Sequence, residues 1–172
     1  MAKNVEYIND IKGFSIASIY PELAKAKAKL IVMHSMQEVG IADQVNRCLK
    51  EVEDSINSFF EKRIEELTKA GISADRLIID PGMGMFLSSD HEVSFSVLKS
   101  IEGLKKRFGL PVLISTSRKS FIRGFLGCDI EESGAGSLIA DIYAMLHQVD
   151  YIRTHDTINL LNSYKMYKKL FF

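Results

Sequence analysis

Chemistry in this 172-residue sequence gathers where polar residues follow short apolar runs. Asp80 closes LIID (77–80) and is followed by Pro81-Gly82-Met83-Gly84. A proline and two glycines bend the chain sharply and bring backbone close to whatever binds. A carboxylate at that depth needs a donor, supplied either by a ligand or by its own loop or a neighbouring lysine. TSRKS (116–120) follows another apolar run and opens a helical pattern. Ser117 or Ser120 can cap that helix, whose first turn offers free N–H groups and a partial positive charge. Arg118 and Lys119 add two full charges, which makes an anion site for carboxylate or phosphate. Basic residues sit badly at a helix N-terminus, which favours that reading over ordinary surface charge. Arg153 and His155 lie two apart on a third run, so they face the same way. A fork of guanidinium donors beside a ring that can give a proton suits a multiply charged leaving group.

The elements that must position these residues are readable. YINDI (7–11), LIVMH (30–34), LIID (77–80), VLIST (112–116) and YIRTH (151–155) are too short for helices and read as buried strands. Helical patterns lie between them. Val45, Leu49, Val52, Ile56, Phe60, Ile64 and Leu67 form one apolar stripe that ends at Gly71, and Phe95 to Phe108 carries a second. Shorter helices are expected over 121–126, 137–146 and 157–170. Strand–helix alternation predicts a parallel sheet with helices outside. The strands recur about every 36 residues, so eight units would need about 290, within reach of a (β/α)8 barrel. Five strands make either a compact open sheet or the last five-eighths of a barrel.

In a barrel the functional groups sit at the carboxyl ends of the strands, and successive strands are neighbours about 4.8 Å apart. Asp80, Lys119 and Arg153 would then stand side by side on the rim. A carboxylate beside an ammonium can read a flat heterocycle with donors on one edge and a carbonyl on the other. Asn9 could complete that edge, and Met33 and the Arg153 plane could cover the ring faces.

Composition excludes several classes. Apolar residues make up 47% and charged residues 26%, so the chain is neither disordered nor a disulfide-stapled miniprotein. Lys+Arg and Asp+Glu are 22 each, so no net field draws it to nucleic acid or anionic lipid. No apolar run approaches the roughly 18–20 residues that span a bilayer. Cys48 and Cys128 are isolated, and the first residues carry no signal-peptide stretch, which together read as reduced thiols in a cytoplasmic protein.

With YINDIKGF (7–14), VMH (32–34), IIDPGMG (78–84), PVLISTSRKSFI (111–122) and YIRTHD (151–156) in this order, the chain resembles the dihydropteroate synthases of the pterin-binding (β/α)8 family over essentially its whole length. The resemblance implies a single pterin-binding α/β domain over 1–172, a partial TIM barrel of about five parallel strands with helices outside, equivalent to strands 4–8. It implies joining of p-aminobenzoate to dihydropterin methyl diphosphate, with release of pyrophosphate. Asn9, Met33, Asp80, Gly84, Lys119 and Arg153 look like pterin-binding positions, and Ser120 like the contact to the p-aminobenzoate carboxylate. Arg153 and His155 look like the diphosphate-binding pair, and Lys119, Arg153 and His155 like the catalytic set. Mg2+ is implied by the family, with its protein ligand outside this chain, as is a homodimer through the C-terminal helices.

The sequence departs from the family's pattern in places. The loop after Asp80 reads DPGMGMFLSSD where DPGxGFGK is usual, so Met85 replaces the aromatic and the basic residue is gone. The run MHSMQEVG (33–40) is altered by a residue from the family's MHMQG, and RTHD stands where RVHD is usual. The family's first three strands have no counterpart here, so turnover is expected to require them. A barrel piece without them should be poorly stable unless something covers its unpaired edges. Two other readings fit the same residues: a methyltetrahydrofolate-binding methyltransferase, against which the SRKSFI anion site argues, and a non-catalytic pterin-binding or dimerising remnant with apolar positions exposed between Phe121 and Leu146.

Overall fold

The computed structural model describes residues 5–37 and 45–172. Along the chain run β1 (Tyr7–Asp10), α1 (Tyr20–Lys25), β2 (Lys29–Met33), α2 (Leu49–Lys69), β3 (Leu77–Asp80), α3 (His91–Lys99), α4 (Ile101–Phe108), β4 (Leu113–Ile114), α5 (Ser120–Leu126), α6 (Gly134–Leu146), β5 (Tyr151–Ile152) and α7 (Thr157–Phe171). The altered run 33–40 ends at residues 38–40, outside the described residues.

All strand pairs are parallel, in a three-stranded sheet β1-β2-β3 and a two-stranded sheet β4-β5. An Ile79–Val112 bridge, with the Ile79 amide donating to the Pro111 carbonyl at 2.9 Å, joins the two sheets into one arc. The described strands do not close into a barrel.

Both faces of the arc are apolar, as parallel strands covered on both sides require. Outward, Leu30, Val32, Leu77, Ile79, Val112 and Ile114 pack under the helices with Val52, Ile56, Phe60 and Leu67 of α2. Fully burying each of these side chains contributes about 1.5–3 kcal/mol, so the outer layer holds the arc's shape. Inward, Ile31, Ile78 and Leu113 form a second cluster with Tyr151 against it.

The element pattern differs from expectation in detail. The stripe from Phe95 to Phe108 is two helices, because Ser100 turns out of helical geometry (φ −92°, ψ 6°) and its hydroxyl donates to the Val97 carbonyl. The long helix begins at Leu49 rather than Val45, and the helix expected from 137 begins at Gly134. Strands β4 and β5 are two residues each. Arg153 and His155 therefore lie just beyond β5, although the Arg153 amide still donates to the Ile114 carbonyl at 2.9 Å. Among the described residues, no helix is long and apolar enough to cross a membrane.

Candidate active site

Parallel partners point to the same face. Asn9 is in register with Ile31, and Met33 with Asp80. The concave face therefore carries Asn9, Ile31 and Ile78 in one layer and Met33 and Asp80 in the next, toward the carboxyl ends. Asn9 is exposed on the edge strand β1 and lies one layer below Asp80, while Met33 is buried beside it.

Asp80 is the most constrained of these groups. It is 1% exposed, and its Oδ1 accepts from the Gly82 amide at 2.9 Å. Its Oδ2 is buried with no hydrogen-bond partner. Burial pushes the carboxyl's pKa up, while the Gly82 amide and the charges of Arg153 and Lys119 pull it back. Lys119 is held below its ordinary value, mainly by burial and also by Arg153, with Asp80 opposing. The three side chains expected on one rim thus share one electrostatic site, yet among the described residues no ion pair joins them. An unpaired buried carboxylate oxygen costs about 1–3 kcal/mol, which a ligand's N–H would offset.

The loop after Asp80 is shaped by close approaches. Gly82 (φ +75°) would place a Cβ 2.5 Å from the His34 carbonyl, and Gly84 (φ +69°) would place one 2.7 Å from Ser120 Oγ. His34, at the end of β2, is buried with Nδ1 3.1 Å from the Pro81 carbonyl and Nε2 2.9 Å from Ser55 Oγ. A carbonyl only accepts, so Nδ1 carries the proton and Nε2 accepts from the serine. Burial lowers the His34 pKa to about 4, so the ring is neutral and serves to hold the loop.

Ser120 differs from expectation. The N-cap of α5 is Lys119, with no side-chain cap, and Ser120 is the first helical residue. Its hydroxyl accepts from the Met85 amide at 3.1 Å, tying the Asp80 loop to α5. Ser117 serves β5 instead, accepting from the His155 amide at 3.3 Å and lying 3.1 Å from His155 Nδ1. Arg153 Nε donates to Ser115 Oγ at 3.4 Å. Asp156 caps α7 as its position suggests, accepting from the Asn159 amide.

Two participants escape the sequence reading. The aromatic missing at Met85 reappears one residue on, with Lys119 Nζ lying 4.5 Å from the centre of the Phe86 ring. Asp141, in the middle of α6, is buried and accepts from Thr116 Oγ1. Its signal was an acid within the buried helical stripe Ser137, Ala140, Asp141, Ala144.

The family model described as "Pterin binding enzyme" matches residues 1–155. The chain belongs to the pterin-binding enzyme family. It is 47% identical over 156 residues to dihydropteroate synthase type-2 of Escherichia coli, covering 91% of this chain and 57% of that protein. To the type-3 synthase of Escherichia coli it is 43% identical over 168 residues, covering 98% and 64%. Among solved structures it resembles dihydropteroate synthase from Anaplasma phagocytophilum with bound 6-hydroxymethylpterin-monophosphate, at 29% identity and TM-score 0.85, covering 96% of this chain and 64% of that one. The Coxiella burnetii synthase in complex with pteroic acid is similar at 28% identity and TM-score 0.82, covering 95% and 59%. The chain thus spans less than two thirds of the length of these pterin-binding relatives.

Proposed function

We propose that this chain carries the substrate-holding part of a dihydropteroate synthase of folate biosynthesis. The observation that supports it most is the buried, unpartnered Oδ2 of Asp80 in the field of Lys119 and Arg153. A pterin's ring N–H and amino group are donors that would satisfy that oxygen, and Lys119 would donate to the ring carbonyl and ring nitrogen. Asn9 extends the edge, Met33 and Gly84 form the wall, and the Arg153 plane covers a face. Ser120 at the start of α5 takes the p-aminobenzoate carboxylate. Arg153 and His155 hold the diphosphate.

In the reaction, the bond from the pterin methylene carbon to the diphosphate oxygen breaks, and the electron pair leaves with pyrophosphate. The arylamine nitrogen bonds to that carbon and loses a proton. The protein's part is to hold the two substrates in line and to stabilise charge on the departing group with Arg153 and His155. Magnesium is a different matter. Among the described residues, no group of three His, Cys, Asp or Glu could hold a metal ion, and in this reading its protein ligand lies outside this chain.

The arc reads as strands 4–8 of a (β/α)8 barrel, and we infer that turnover needs the remaining three units, because β1 and β5 each have one strand neighbour among the described residues. A homodimer through the C-terminal helices belongs to the same reading and is supported by exposed Phe125, Leu126 and Ile139 on α5 and α6. The test is pyrophosphate release from dihydropterin methyl diphosphate with p-aminobenzoate, for this chain alone and with the missing barrel units supplied. Turnover only in the second case is expected. Turnover by the chain alone would remove the requirement, and no pterin binding in either case would remove the pocket. Pterin binding without turnover in either case would favour a non-catalytic binding protein.

A further inference from the structure

The groups assigned to the substrates sit on two separate loops that must be held in register. Lys119 and Ser120 follow β4, and Arg153 and His155 follow β5. These strands are only two residues each, so backbone pairing alone is a short anchor. Between the loops, on α6, lies one buried carboxylate. Thr116 Oγ1, one residue before Ser117, donates to Asp141 Oδ1. Thr154, between Arg153 and His155, stands close enough to the same carboxylate to lower its pKa. Asp141 also forms part of the wall of a cavity of about 380 Å³ together with Ser117, Arg118, Thr154 and His155. We propose that Asp141 is a positioning residue that clamps the loop after β5 to the loop after β4, so that Arg153 and His155 face the pyrophosphate beside the pterin that Lys119 holds.

Thr116 is fully buried and Asp141 is 1% exposed, so the bond between them is shielded from bulk solvent. Burial pushes the Asp141 carboxyl up, opposed by Thr116, Thr154 and His155. A negative charge near an anion site is electrostatically unhelpful, so the value of Asp141 is geometric. The inference rests on the anion assignment of the proposed function, and the experiment separates the two.

Binding of inorganic pyrophosphate and of 6-hydroxymethylpterin is measured by calorimetry on the full chain and its variants, with thermal unfolding alongside. Asp141→Ala is expected to weaken pyrophosphate about tenfold and to leave pterin within about twofold. Asp141→Asn can accept one threonine proton and give one of its own to the other hydroxyl, so it should stay within about threefold of the parent. Thr154→Val removes one arm and should weaken pyrophosphate about threefold, a readout that survives should Asp141→Ala fail to fold. Unchanged pyrophosphate affinity in the folded variants would overturn the clamp, as would equal losses of pterin and pyrophosphate, which mark a general packing role. A parent chain that binds the pterin and no pyrophosphate would overturn the anion assignment itself, and the clamp with it.

Discussion

The two ends of the concave face solve opposite problems with similar residues. At the amino ends of the strands, Tyr7 and Tyr151 meet edge-to-face with ring centres 6.0 Å apart, and Lys29 Nζ donates to the Tyr151 hydroxyl at 3.2 Å. Every polar group in that trio has a protein partner. At the carboxyl ends, Asp80 keeps a buried oxygen with none, between two cations that do not pair with it. The same arc therefore has one end whose polar groups find protein partners and one end that keeps a buried acceptor open, which the proposed function fills with a pterin. A fold that could satisfy a lysine with a tyrosine could have paired Asp80 with Lys119, and the absence of that ion pair among the described residues is what marks the site.

The largest expected effect removes the incomplete group. Asp80→Ala should weaken pterin binding about a thousandfold, roughly 4 kcal/mol, since it deletes the buried acceptor that the proposed function sets against the pterin's N–H groups. Because it also removes an unsatisfied buried oxygen, the unfolding temperature should change little. Calorimetry and a thermal melt on one sample check both, and a large loss of stability with little loss of binding would reverse the contrast between the two ends. Next comes His34, which braces the Asp80 loop. The unfolded chain takes up a proton near the ordinary value of 6.5, whereas the folded chain does so only near 4. The unfolded state thus binds more protons within that window. Stability from this group is intact above 6.5 and falls as pH drops toward 4, by about 3 kcal/mol at the bottom. His34→Gln should be less stable at pH 7 and should show a shallower decline between 6.5 and 4 in urea titrations.

The residues of this site that could be foreseen share one property: their role follows from position along a strand. Asp80, Lys119 and Arg153 stand at or just past the ends of apolar runs, and parallel topology delivers strand ends to one rim whatever the loop details. Gly84 was legible as a close-approach position, though the atom it admits, Ser120 Oγ, was not. Phe86 was hidden because a one-residue offset in the loop changes which side chain reaches Lys119. Asp141 was hidden because its threonine partner lies 25 residues earlier on another element, and nothing local to α6 reveals a hydrogen bond that only helix-on-sheet packing creates. The break at Ser100 was obscured for a related reason: the apolar stripe runs through it unbroken on both helices, so periodicity carries no trace of the turn.

Gly84→Ala sharpens the contrast from the loop side. At φ +69° a Cβ is strained, and here it meets Ser120 Oγ at 2.7 Å, so the serine must move. A loss of about 1–3 kcal/mol in stability is expected. A several-fold weaker p-aminobenzoate affinity in the presence of pterin and pyrophosphate is expected with it, and unchanged affinity would separate Ser120 from that substrate.

The smallest effect belongs to the self-contained end. Tyr151→Phe deletes the hydroxyl that links Tyr7 and Lys29 and leaves the ring in place. Tyr7 titrates above its ordinary value, chiefly through its hydrogen bond to Tyr151, and Lys29 is raised by the same hydroxyl. In the variant both should shift down toward ordinary values, which ultraviolet titration of the remaining tyrosines reads for Tyr7. Tyr7 is exposed and Lys29 and Tyr151 are only half-buried, so the unfolding temperature should move by no more than about 2 °C. Pterin affinity should stay within about twofold, because Ile31, Ile78 and Leu113 separate this layer from Asp80. A tenfold loss of pterin affinity would mean that the two ends are coupled through that apolar layer, and the division between a finished end and a ligand-completed end would have to be abandoned.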